Sequence, residues 1–155
     1  MERVTKVTIY IATSTKKIKV VEKGYYAAII ECKTKKGLEE TDIEGFEKDT
    51  TYNRLVLQAI ICALCELKWP CKVTIHTDCA FVRNMINHER PEQWKRSEWI
   101  KSGGGSVKYK DLWQQYLEMK GSHEITAKPN NYEGLQGYLK KMDELMEKLT
   151  NSNEH

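Results

Sequence analysis

The sequence predicts an α/β domain in which a mixed five-stranded sheet carries helices on both faces, a three-layer arrangement. Three observations lead there. The first third of the chain alternates β-branched and polar residues and carries hairpin signals, the middle alternates helix and strand patterns, and a last short strand pattern precedes a long amphipathic helix. Three hairpin-linked strands followed by crossover units place a mixed sheet between helical layers. At 155 residues the chain has the length of one domain whose core needs no staples. We expect residues 1–149 to form that domain and residues 150–155 to be a disordered polar tail.

Val4 to Thr13 sets Val4, Val7, Ile9 and Ile11 among Thr and Lys, the period and propensity of a central strand. Ile18 to Lys33 reads as one long strand or two, and its apolar residues occupy both faces, as in a strand covered on both sides. Lys35-Lys36-Gly37 is a hairpin turn, and Leu38 to Glu47 is polar enough to be an exposed edge strand. Thr50-Thr51 offers an N-cap to a helix whose apolar residues lie on nearly every side, from Leu55 to Leu67, with Trp69-Pro70 stopping it. Cys71 to Thr77 is the fourth strand, and Phe81, Val82, Met85 and Ile86 give Ala80 to Asn87 a helical face.

Glu92 to Trp99 is a short helical segment, Ser102 to Ser106 a glycine-rich loop, and Leu112, Trp113, Tyr116, Leu117 and Met119 a further helix. The glycine run is no phosphate cradle, because no strand precedes it and no Gly-Lys-Ser or Gly-Lys-Thr follows. His123 to Ala127 is the fifth strand, and Leu135, Tyr138, Leu139, Met142, Leu145, Met146 and Leu149 mark the C-terminal helix.

Hydrophobic residues at 40% and charged residues at 30% describe a globular chain, and no apolar run approaches the roughly 20 residues that cross a bilayer. With a charged start leading straight into a strand pattern, we expect a cytoplasmic protein without a membrane partner. Of the five cysteines, Cys62 and Cys65 form a C-x-x-C inside the apolar helix pattern, where buried thiols fit better than a zinc or redox pair. The net charge of +3 says little, but its placement says more. Lys33, Lys35 and Lys36 cluster in one turn, and Lys95, Arg96, Lys101, Lys108 and Lys110 surround a segment carrying Trp94, Trp99 and Trp113. Basic residues interleaved with aromatics are a nucleic-acid signal, although packing against its own helix is the plainer role for each Trp.

The richest stretch is Val73 to Cys79, a buried strand pattern that ends on the carboxylate of Asp78. Open α/β sheets place their chemistry at such strand ends. Four segments there and elsewhere resemble ribonuclease HI and the wider ribonuclease H fold. Thr8 to Ser14 sits where that family has a first strand ending in T-D-G-S, and Lys23 to Ile30 is similar to its G-G-x-G-A-I-L strand. Thr50 to Leu57 looks like T-T-N-N-R-M-E-L, and His76 to Val82 like S-T-D-S-Q-Y-V. The segment Gln93 to Trp113 resembles the family's basic protrusion, which grips the substrate.

The resemblance implies a ribonuclease H-like fold and cleavage of the RNA strand of an RNA·DNA hybrid by two divalent ions held by four carboxylates. Carried over by position, it also implies a degenerate site. The first-strand Asp is Ala12, the helix Glu is Val56, the fourth-strand Asp is retained as Asp78, and the last Asp falls at Leu135. Met142-Asp143-Glu144-Leu145 resembles the C-D-E-L of the family's final position, so a different gap would supply Asp143; we expect that residue on the solvent side of a face set by Leu139, Met142 and Met146. The loop of the family's mobile His, Lys128 to Asn131, has none here, since His123 stands at the opposite end of the fifth strand.

Thr51 and Asn53 match positions that contact the hybrid backbone, with Tyr52 in place of an Asn; Thr51 reads equally as an N-cap. We therefore expect a binding protein for an RNA·DNA hybrid or similar nucleic acid, through Thr51, Asn53, Lys95, Arg96, Trp99, Lys101, Lys108 and Lys110. No cofactor is expected, with Asp78 at most touching a metal and Asp78 otherwise capping the helix that follows. The alternatives are a residual ribonuclease H using Mg²⁺ or Mn²⁺, and a protein-interaction scaffold presenting the edge strand and C-terminal helix to a protein partner. We expect a monomer.

Overall fold

The computed structural model describes residues 5–130 and 136–152. Ten elements follow one another in the predicted order. Strands β1 (Thr5–Thr13), β2 (Val21–Thr34) and β3 (Gly37–Thr50) lead into α1 (Tyr52–Cys65) and β4 (Cys71–His76). Helices α2 (Ala80–Asn87), α3 (Arg90–Arg96) and α4 (Lys110–Lys120) come next, then β5 (Glu124–Lys128) and α5 (Gln136–Ser152). They form one five-stranded sheet in the order β3-β2-β1-β4-β5. The mixed sheet is as expected, with β1 antiparallel to β2 and β2 to β3, while β4 runs parallel to both β1 and β5.

The two faces of the sheet are buried differently. Val7, Ile9, Ile11, Ala28, Ile30, Val73 and Ile75 point to the face covered by α1, α2 and α4, where they join Leu55, Ile60, Leu64, Val82, Trp113 and Tyr116 in the main core. Tyr10, Ala27 and Ile29 point the other way and meet Met142, with Leu145, Met146 and Leu149 packed beside them. Successive strand residues alternate faces, so a strand lined on both sides by apolar residues requires a helix on each. The apolar stripe of α5 supplies the second layer.

Helix α1 is apolar almost all round because it is the central helix: Leu55, Val56, Leu57, Ala59, Ile60 and Ala63 are all completely buried. Its N-cap is Thr51, whose hydroxyl accepts from the Arg54 N–H at 3.3 Å. Cys62 is half-buried and packs against the core, and Cys65 is exposed; both thiols are free. The edge strand β3 is longer than its polar pattern suggested, and among the described strands it pairs with β2 alone. The C-terminal helix also outruns its sequence pattern, continuing through Ser152 with the Thr150 hydroxyl donating to the Met146 carbonyl at 2.9 Å. Among the described residues no helix is long and apolar enough to cross a membrane.

Gly24 marks a close approach between sheet and helix. A Cβ there would stand 2.7 Å from Leu55 Cδ1 and 2.8 Å from Thr50 Cγ2, so β2 lies against the start of α1 only because this residue has no side chain. Gly24→Ala is therefore expected to destabilise the fold by about 1–3 kcal/mol through overpacking, measured by denaturant titration. A shift near zero would mean that the contact is slack.

Two histidines tie stability to pH. Burial lowers the pKa of both His76 and His123, and His123 Nδ1 accepts the Cys71 N–H at 3.0 Å, a role open only to an unprotonated nitrogen. The folded state thus releases protons that the unfolded chain holds. The stability this provides is complete above about pH 6.5 and is lost as pH falls from there through the lowered folded values. His123→Asn keeps an acceptor but cannot titrate, so its unfolding free energy should fall less than that of the parent between about pH 7.5 and pH 5.5. Equal losses would contradict the assignment.

Candidate functional site

Parallel pairing fixes where the site forms. Thr5 to Tyr10 of β1 stand opposite Cys71 to His76 of β4, so both strands end on the same edge of the sheet. There a cavity of about 110 Å³ is lined by Ala12 and Thr13 from β1, Lys16 from the turn after it, and Tyr52 and Val56 from α1. Thr77 and Asp78 after β4, Asn130 after β5, and Met142 and Asp143 of α5 complete it. Ala12, Val56 and Asp78, which the sequence assigns to one site from three distant segments, do meet. Leu135 lies outside the described residues.

Asp143 meets them as well. Its side chain is exposed, as expected, but it borders the same cavity as Asp78 instead of standing apart from it. Helical geometry explains this: neighbouring positions on a helix are separated by about 100°, so Met142 can enter the core while Asp143 borders the opening beside it. Met142 is 2% exposed.

Asp78 does not cap α2. Its carboxylate accepts from Lys16 Nζ at 3.2 Å, in a pair with side-chain exposures of 45% and 70%. The N-cap position belongs to Cys79, whose N–H donates to Thr77 Oγ1 at 3.2 Å. Thr77, not Asp78, takes that N–H because Thr77 is already buried at the strand end, held by its own N–H to the Lys128 carbonyl (2.9 Å) and by Arg83 donating to its carbonyl (2.7 Å). Asp78 is left free to face the cavity.

The surrounding groups are mostly occupied in structure. The Thr51 hydroxyl caps α1, and Asn53 Oδ1 accepts from the Cys79 thiol at 3.2 Å, with both residues 8% exposed. Burial, followed by the charges of Cys79 and Asp78, pushes the Tyr52 phenol up to about 12. Burial likewise raises the Cys79 thiol. These groups stay neutral and frame the two carboxylates, and the floor beneath them is apolar, since Val56 is completely buried. Among the described residues no group of three or more His, Cys, Asp and Glu side chains is placed to hold a metal ion.

The basic segment flanks this edge. Phe81 of α2 meets Tyr109 edge-on at 6.1 Å between ring centroids, and Arg54 of α1 grips Asp111 through both guanidinium nitrogens at 3.1 and 3.4 Å. These contacts anchor the start of α4 beside the strand end that carries Asp78. Lys95, Arg96, Lys101, Lys108 and Lys110 are all exposed, and among the described residues none of them forms an ion pair. The tryptophans brace the segment from beneath: Trp113 is completely buried, Trp94 lies 6.0 Å from it between ring centroids, and Trp99 is half-buried against the main core.

Known proteins agree with this geometry. The RNase H family model matches residues 5–129. The chain belongs to the ribonuclease H family. Ribonuclease H of Thermoanaerobacter sp. (strain X514) is 37% identical over 102 residues, which cover 66% of this chain and 63% of that protein. Ribonuclease H of Caldicellulosiruptor saccharolyticus is 43% identical over 90 residues, covering 58% of this chain and 61% of the relative. The matched region thus spans a little over three fifths of these relatives' length. Among solved structures, LC9-RNase H1, described as a type 1 RNase H with the type 2 active-site motif, superposes with a TM-score of 0.73 at 17% identity, covering 94% of this chain and 72% of that one. The prototype foamy virus RNase H domain gives 0.68 at 16% identity, covering 92% and 93%. At such identities these two structures bear on the fold alone.

The division of labour between Thr77 and Asp78 predicts an order of effects. Thr77→Val leaves the buried Cys79 N–H without its acceptor and should cost about 1–3 kcal/mol. Asp78→Ala removes only an exposed ion pair and should change stability by less than about 1 kcal/mol. Thermal or denaturant unfolding of the two variants reads this directly, and the reverse order would return the cap to Asp78.

Proposed function

We propose that this protein binds nucleic acid, an RNA·DNA hybrid or a duplex of similar shape, and does not cleave it by the two-metal chemistry of its family. The carrying observation is the composition of the cavity at the end of β1 and β4: Ala12 and Val56 stand with Asp78 and Asp143, and the Lys16 ammonium is paired with Asp78. Two divalent ions a few ångströms apart need a concentrated set of carboxylates to hold them and activate water. Here two carboxylates face an apolar floor, one of them neutralised by a lysine. The residues do not fit a two-metal centre.

Binding rests on a different part of the surface. The five exposed cations from Lys95 to Lys110 project from a segment whose tryptophans and Arg54–Asp111 pair fix it beside the cavity. Cations held on a braced frame gain affinity for a phosphate backbone by releasing its counterions, with little sequence preference. A foamy viral protease-reverse transcriptase with a similar fold (TM-score 0.62, 14% identity, covering 88% of this chain and 19% of that one) has been solved in complex with an RNA/DNA hybrid.

One observation favours a second reading, a residual ribonuclease H. Asp143 borders the cavity with Asp78, so two carboxylates remain for a single ion. A labelled hybrid separates the two. Fluorescence anisotropy should show binding that weakens steeply as salt rises, and replacing Lys95, Lys101 and Lys108 with Gln should reduce the salt slope by roughly three. Incubation with Mg²⁺ or Mn²⁺ should leave the RNA strand intact. Cleavage that disappears in Asp78→Asn would establish the residual nuclease, and salt-insensitive or absent binding would remove the nucleic-acid reading.

A further inference from the structure

The opposite end of the sheet carries a second meeting of basic and aromatic groups. β1 spans Thr5–Thr13, so Thr5 and Ala12 stand roughly 23 Å apart at a strand rise of about 3.3 Å per residue. Around Thr5, where β2 ends and β4 begins, lies a cleft of about 430 Å³ bordered by Lys6, Lys33, Thr34, Lys35 and Trp69. The three lysines are exposed, and among the described residues no acidic side chain lines the cleft.

Trp69 is the unusual member. It is 56% exposed, although an indole of this size is ordinarily well buried. Its one donor is already used, because Nε1 gives its hydrogen to Thr5 Oγ1 at 2.9 Å. That bond fixes the ring and leaves the indole plane as what it offers, and no other ring among the described residues covers it. A neighbouring cleft that shares Thr5, Cys32 and Trp69 is bordered by Glu39, Glu66 and Lys68, so of these two clefts the one lined by charges of positive sign alone is that of Lys6, Lys33 and Lys35.

An immobilised aromatic plane beside several cations is what a nucleotide unit asks for. A base stacks on the plane, and the phosphates on either side of it meet the ammonium groups. A duplex offers its bases only at its ends, whereas a single strand offers them throughout. We propose that this cleft binds single-stranded nucleic acid, with one base stacked on Trp69 and flanking phosphates held by Lys6, Lys33 and Lys35. The assignment is independent of the Lys95 to Lys110 surface and stands or falls separately from it.

The test uses the full chain and two fluorescent probes, an oligothymidylate of about 12 nucleotides and a blunt RNA·DNA hybrid without overhangs. Trp69→Ala should weaken oligothymidylate binding about tenfold or more, while Trp69→Phe, which keeps a stacking face, retains most of it. Replacing Lys33 and Lys35 with Gln, both exposed and unconnected to the core, should lower the salt slope for the single strand by roughly 1.4. None of these changes should alter affinity for the hybrid. Failure of the parent protein to bind oligothymidylate, indifference to Trp69→Ala, or an equal loss for both probes would overturn the proposal. A protein that binds the single strand as described but ignores the hybrid would uphold this site and refute the hybrid reading.

Discussion

The parallel ladder between β1 and β4 is the constraint on which the rest of the molecule depends. Its register, from Thr5 opposite Cys71 to Tyr10 opposite His76, carries both strands to a common edge and leaves both of their ends beside the first turns of α1. A parallel pair cannot be closed by a tight turn, so the intervening chain must cross over, and here it does so through β2, β3 and the largely apolar α1. Burial of α1 on the sheet in turn fixes Tyr52 and Val56 over the strand ends. The cavity is thus a product of topology, present whatever side chains happen to line it.

What lines it is a mixture of charged and apolar side chains. Val56 belongs to the main core and Ala12 ends a strand as a methyl group, so the space that carboxylates would hold open is small and partly apolar. The Lys16 ammonium answers Asp78 from an exposed turn, an interaction too solvated to hold the fold together but one that offsets part of the negative charge at the cavity. The binding surface we propose lies on its flank, where exposed cations sit on a segment braced by buried rings.

Most of the architecture was legible in the sequence because each element is written in the residues that bury it. The alternation in β1 and β2, the all-round apolar α1 and the striped α5 each admit one placement in a layered domain, and the edge position of β3 follows from its acidic, sparsely apolar run. The three segments that supply Ala12, Val56 and Asp78 were legible because each resembles a motif of the family at a strand end or a helix start. Two local features were not. Reading the α5 face from Leu139, Met142 and Met146 treated exposure and participation as opposites, whereas a residue at the rim of a cavity, such as Asp143, can be exposed and still belong to it. The N-cap of α2 is Cys79 and not Asp78, because Thr77 holds that turn by accepting from Arg83 and donating to the Lys128 carbonyl, and neither partner is adjacent in sequence.

The central claim is that this cavity lacks the carboxylates for its family's metal chemistry. The most direct measurement is a calorimetric titration of the full chain with Mn²⁺, run in parallel on Asp78→Asn and Asp143→Asn. The account predicts no saturable uptake that either substitution removes. Tight binding of two ions, lost in both variants, would contradict it.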